Sequence, residues 1–217
     1  DSGALLERAL SVSPDHPVAL LNYGVWKYAQ GDLDEAERYY ARALQRTPER
    51  SICAGNLGYV RVLQGRIPEA QAALRSQLGQ ADVHWTVPAA WGMALLHEGR
   101  SAEAIPHLEE SLQRRPGDPR LLAELQRAYC EAGQIEAARR LAESRPEAGG
   151  TGTSVYLALF PHYVTLWRMG GRPYAWRYFE RLAETEWGRS VQLLNNVAWL
   201  AATDEQTPPE IAARAVG

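Results

Sequence analysis

Apolar residues recur along most of the chain at the three-and-four spacing of an amphipathic helix, and short polar clusters interrupt that rhythm at regular intervals. One such stretch covers 17–29 and runs into Ala29-Gln30-Gly31-Asp32. A second covers 33–46 and ends ahead of Pro48. Glycine after a helix takes the left-handed conformation that closes it, and Asp32 is placed to cap the helix that follows. Proline lacks an N–H and disfavours helix at the residue before it, so Pro48 and Pro116 stop second helices. The pattern therefore predicts a helix, a tight turn and a second helix.

This unit repeats. Gly24, Gly58 and Gly92 are spaced by 34 residues, as are Gly31, Gly65, Gly99 and Gly133, and Ala36, Ala70, Ala104 and Ala138. A fixed period of this length is the signature of a solenoid. Each column has a physical role. The mid-helix glycine and the small alanine let two paired helices approach closely. Tyr23, Leu57, Trp91 and Leu125 precede the glycine column, and Tyr40, Leu74 and Leu108 face them from the second helix. Together these columns are the expected core of each unit, with Trp91, Trp176 and Trp199 read as packing residues.

The pattern resembles the bacterial-type tetratricopeptide-repeat (TPR) family, whose 34-residue unit carries W-x2-L-G-x2-Y, then alanine, aromatic, alanine and proline. Tyr23-Gly24, Leu57-Gly58, Trp91-Gly92, Tyr129, Ala36, Tyr40, Ala43 and Pro48 match it. Gln126 replaces the fourth glycine and Asp82 the second terminal proline, without shifting the register. The resemblance implies an all-α fold, a right-handed superhelical α-solenoid of helix-turn-helix repeats. Its expected organisation is a lone second helix at 1–16 and four units at 17–50, 51–84, 85–118 and 119–146. A divergent fifth unit at 147–186 and a partial sixth at 187–217 complete it. The fifth begins with a Gly-rich link at 147–152, holds Pro161 in its first helix, and places Gly170, Ala175 and Phe179 in the repeat columns. The start at Asp1, with no methionine, leads to the expectation of a fragment of a longer array that self-associates through its ends.

Charge and composition narrow the function. A net charge of −3 gives no basic stripe for nucleic acid, and carboxylates flank Arg114-Arg115 and Arg139-Arg140. No apolar run reaches the ~18 residues of a membrane span. Cys53 and Cys130 form no C-x-x-C or Cys/His cluster, and the five histidines fall in unrelated columns, so neither metal nor cofactor is expected. Without a phosphate loop or a nucleophile–histidine pairing in register, the segment is read as non-catalytic.

In TPR folds the first helix of each unit lines the concave surface, which implies a protein or peptide ligand there. The register offers Asn22, Val25, Asn56, Tyr59, Met93, His97 and Arg127 as contact residues. Val18, Leu21, Tyr28, Ile52, Arg120 and Glu131 border them, so the groove is expected to be apolar and aromatic in its first half and charged in its second. Asn22, Asn56 and Asn196 share a column in which some TPR proteins hold a peptide backbone, because an amide both donates and accepts. The other reading has these asparagines bonding a neighbouring helix or water. Leu21 and Val25 stand where a carboxylate clamp needs polar groups, so a hydrophobic or amphipathic ligand, such as a helix laid into the groove, fits better. Replacing Asn22, Asn56 and Tyr59 together is expected to weaken binding with little effect on folding. A scaffold, a docking module of a larger bacterial glycosyltransferase or secretion protein, and a regulatory array are the three readings open at this level.

Overall fold

The turn glycines fold the chain back on itself at a fixed interval. Gly31, Gly65, Gly99 and Gly133 all take positive φ, between 74° and 81°, a region that costs any residue with a Cβ. The structure, a computed structural model, describes residues 2–134 together with 137, 138, 140, 141, 163, 164, 167, 175, 176 and 179. Among them are eight helices and no strand: α1 (Ser2–Val12), α2 (Pro17–Ala29), α3 (Leu33–Arg46), α4 (Ser51–Leu63), α5 (Ile67–Leu74), α6 (Thr86–His97), α7 (Ser101–Arg114) and α8 (Pro119–Glu131). None is long and apolar enough to cross a membrane. The Gly-rich link at 147–152, Pro161, Gly170, Asn196, Trp199 and the partial sixth unit lie outside the described residues.

Helix ends follow the capping logic. The Asp32 side chain accepts from the N–H of Glu35 at 3.2 Å to start α3. Asp118 does the same for α8, accepting from Arg120 and Leu121. At the start of α2, His16 accepts from the N–H of Ala19, and Pro17 takes the first turn, where its missing N–H costs nothing.

The helices pack in antiparallel pairs, α2 on α3, α4 on α5 and α6 on α7. A Cβ on Gly24 would lie 2.7 Å from the Tyr40 ring; on Gly58, 2.7 Å from Leu74; on Gly92, 2.7 Å from Leu108. One contact thus recurs three times at the repeat period, and it forces glycine in the first helix. Ala36, Ala70, Ala104 and Ala138 are all fully buried. Tyr23, Leu57 and Leu125 are buried beside them, while Trp91 is half-buried, its ring 6.5 Å from that of His107 and steeply inclined to it. Tyr163, Trp167, Ala175 and Phe179 join the same core, with the Trp167 ring 6.1 Å from that of Phe179.

The stack is not uniform. α5 has 8 residues where α3 and α7 have 14. After Leu74 the chain leaves the helix: Gln77 turns inward and donates to the Pro48 carbonyl at 3.1 Å, and Gly79 takes φ 82° beyond it. In the adjoining first helices, Gly55 of α4 leaves so little room that a Cβ there would fall 2.0 Å from the Thr86 hydroxyl of α6. α4 and α6 therefore run at very close range.

Candidate partner-binding face

Three columns of residues run along the first helices, and in each burial increases from the first unit to the third. In the column Val25–Tyr59–Met93–Arg127, Val25 is 45% exposed and Tyr59 half-buried, while Met93 is 2% and Arg127 0% exposed. In Asn22–Asn56–Ala90–Glu124 the sequence is exposed, half-buried, buried, buried. Val18, at 42%, and half-buried Ile52 give way to buried Thr86 in the third column, which Arg120 reopens in part. In the third unit the close passage of α4 along α6 accounts for this. Ala89 and Ala90 are fully buried there, and Met93 is enclosed with them.

Met93 and Arg127 are therefore interior residues, a correction to their placement on an accessible groove. Arg127 Nε donates to Glu131 at 2.7 Å, and its Nη1 lies 4.0 Å from Glu124 and 3.3 Å from the Tyr163 hydroxyl. That hydroxyl donates to Glu124 at 2.8 Å, and Ser101 donates to Glu131 at 2.6 Å. Burial pushes the Tyr163 phenol well above its ordinary range, so it remains a donor. The second half of the groove is charged in composition, but Arg127 and the carboxylates of Glu124 and Glu131 meet one another inside the fold. The columns carried a sign of this, since they pass through Ala90 and Met93 before reaching Glu124 and Arg127.

Tyr59 is also committed to packing. Its ring meets that of Tyr28 edge-on at 5.9 Å, and burial followed by the neighbouring Tyr28 raises its pKa well above the usual value. Replacing Tyr59 would disturb the α2–α4 contact, so it is unsuited to a test meant to spare the fold. His97 is half-buried at the end of α6.

What stays open is a stripe of α2 and its neighbours on α4. Val18, Asn22 and Val25 lie at i, i+4 and i+7 on one exposed helix face. Among the described residues, no hydrogen bond holds the amide of Asn22 or of Asn56. At its far end the stripe reaches a contact invisible to the 34-residue register: Arg120 of α8 donates to the Tyr28 hydroxyl at 3.3 Å, across 92 positions of chain.

Three models of the tetratricopeptide repeat match residues 15–78, 56–119 and 95–159, which together span 15–159. The chain belongs to the TPR family. No curated protein sequence matches it. Among solved structures, pilF of Pseudomonas aeruginosa is similar at 21% identity and a TM-score of 0.57, over 89% of this chain and 86% of that one. That likeness is one of fold. A TPR protein from Parabacteroides merdae overlays with a TM-score of 0.48 at 20% identity, over 92% of this chain and 76% of that one. YrrB, described as a TPR protein with an unusual peptide-binding site, overlays with 0.49 at 14% identity, over 97% of both chains. Neither of these two bears on where a partner would sit. TPR proteins are generally non-catalytic interaction scaffolds, and this chain carries their repeats.

Proposed function

We propose that this TPR array is a non-catalytic scaffold that holds a segment of a partner protein against the open stripe of α2 and α4. The observation that carries the reading is the pair of amides of Asn22 and Asn56. They share one column, one exposed and one half-buried, and no described residue satisfies either. Each can donate to and accept from a main chain laid across it, while Val18 and Val25 offer exposed apolar surface on either side of Asn22.

The test compares the native chain with a variant carrying Asn22→Ala, Asn56→Ala and Val25→Ser, immobilised and exposed to a lysate of the source organism. Retention of a protein by the native chain alone, with matching thermal unfolding of both forms, supports the reading. Equal retention by both forms would place the partner on another surface.

A further inference from the structure

Resting on that reading, we infer that the open stripe ends at an anion-recognition point, and that Arg120 receives an acidic side chain of the bound segment. Among the arginines of α8, Arg127 is fully enclosed and matched by Glu131 and Glu124. Arg120 is not matched in this way. Its side chain is 39% exposed, and the nearest carboxylate, Asp118, lies at 3.6 Å. Asp118 is already occupied: it pairs with Arg115 at 3.0 Å and accepts from the N–H groups of Arg120 and Leu121. The other contact of the Arg120 guanidinium is the uncharged Tyr28 hydroxyl at 3.3 Å. A guanidinium has five N–H donors in a planar fork that suits a carboxylate. Here the fork is held at the inner surface by one long neutral hydrogen bond and one weak ion pair.

Position gives the partner's chemistry a spacing. Val18, Asn22, Val25 and Tyr28 descend one side of α2, and Tyr28 hands the path to Arg120. Ten helical residues span about 15 Å, a distance that an extended strand covers in about four or five residues. The fitting segment is extended, with an apolar residue near Val18 and an aspartate or glutamate about four or five residues away. A carboxylate arriving at Arg120 replaces the Tyr28 hydroxyl as acceptor, and charge-assisted hydrogen bonds are the stronger kind.

The experiment selects a random peptide library, displayed on phage with each C-terminus fused so that no free main-chain carboxylate is offered. Selection runs on the native chain and on Arg120→Glu. The inference expects an acid at the stated spacing in peptides from the native chain, and its replacement by lysine or arginine in those from Arg120→Glu. A selected peptide, made with an amidated end, should lose about tenfold or more in affinity when its acid becomes the amide. The same change should cost nothing against Arg120→Gln. The peptide substitution leaves the protein untouched, so a folding defect in a variant cannot imitate the result. Peptides that depend on Asn22, Asn56 and Val25 but ignore both the acid and Arg120 would overturn this inference and leave the scaffold reading standing. Peptides indifferent to the stripe, or selection of none, would overturn both, as would self-association of the chain through the stripe.

Discussion

Gly58 and Leu74 test whether the repeat period reflects one steric contact. A methyl group on Gly58 would meet Cγ, Cδ1 and Cδ2 of Leu74 at 2.7–2.8 Å, and Leu74 is fully buried. Gly58→Ala gains about 1 kcal/mol of helix propensity but overpacks the pair, which costs about 1–3 kcal/mol. The net change should be a loss of about 1 kcal/mol. Leu74→Ala alone opens a cavity beside Val83 and Val87 and should cost about 2–5 kcal/mol. In the Leu74→Ala background the clash is gone, so Gly58→Ala should become stabilising by about 1 kcal/mol. The sign reversal corresponds to a coupling of about 2 kcal/mol, well beyond the additivity of independent sites. Urea unfolding of the four proteins, followed by far-UV circular dichroism, reads it directly. If Gly58→Ala is destabilising to the same extent in both backgrounds, helix approach is not limited by this contact and the account of the glycine column fails.

Two further predictions concern the interior. Arg127→Met removes the cation between Glu124 and Glu131 and should cost about 3–5 kcal/mol, because uncompensated buried charge is the expensive case; a change within a few tenths in thermal unfolding would mean that water reaches the cluster. Burial holds the His84 and His107 imidazoles below their usual value of 6.5, with Arg115 adding to the effect at His84. The unfolded chain then binds protons at higher pH than the folded one, so stability is full above about pH 6.5 and declines as pH falls below it. Urea midpoints measured on either side of that value should show the decline, and His84→Gln with His107→Gln should flatten it.

The parts of the fold that depend on neighbours close in sequence were legible from the residues. α2 at Pro17–Ala29 and α3 at Leu33–Arg46 follow the apolar period, the Gly31 turn and the Asp32 cap, because each is decided within a few positions. The glycine and alanine columns were legible too, since a contact made three times at one period leaves three copies of its signature. The site was less so. Asn22 and Val25 are exposed as the register placed them, but the register assigns Met93 and Arg127 the same geometry as Val25, and burial differs from one end of the column to the other. That difference comes from the early end of α5, the approach of α4 to α6 at Gly55, and packing contributed by Tyr163 and Trp167. The Tyr28–Arg120 contact depends on how rotation accumulates along the stack, and no periodic column records it.

The uneven closure also favours, within the proposed reading, an extended ligand over a helix laid in the groove. A helix laid in a groove is held by anchors at i, i+3, i+4 and i+7 set into an apolar floor. Such a floor would have to be supplied by α6 and α8, where Ala90, Met93, Glu124 and Arg127 are all buried. The apolar residues that do reach the surface, Val18 and Val25, lie on one helix with an amide between them. That narrow alternation of apolar and amide groups suits a main chain with its own hydrogen bonds to make. A helix has already satisfied those groups internally, whereas an extended segment has not, and Asn22 and Asn56 are the residues that would gain from it.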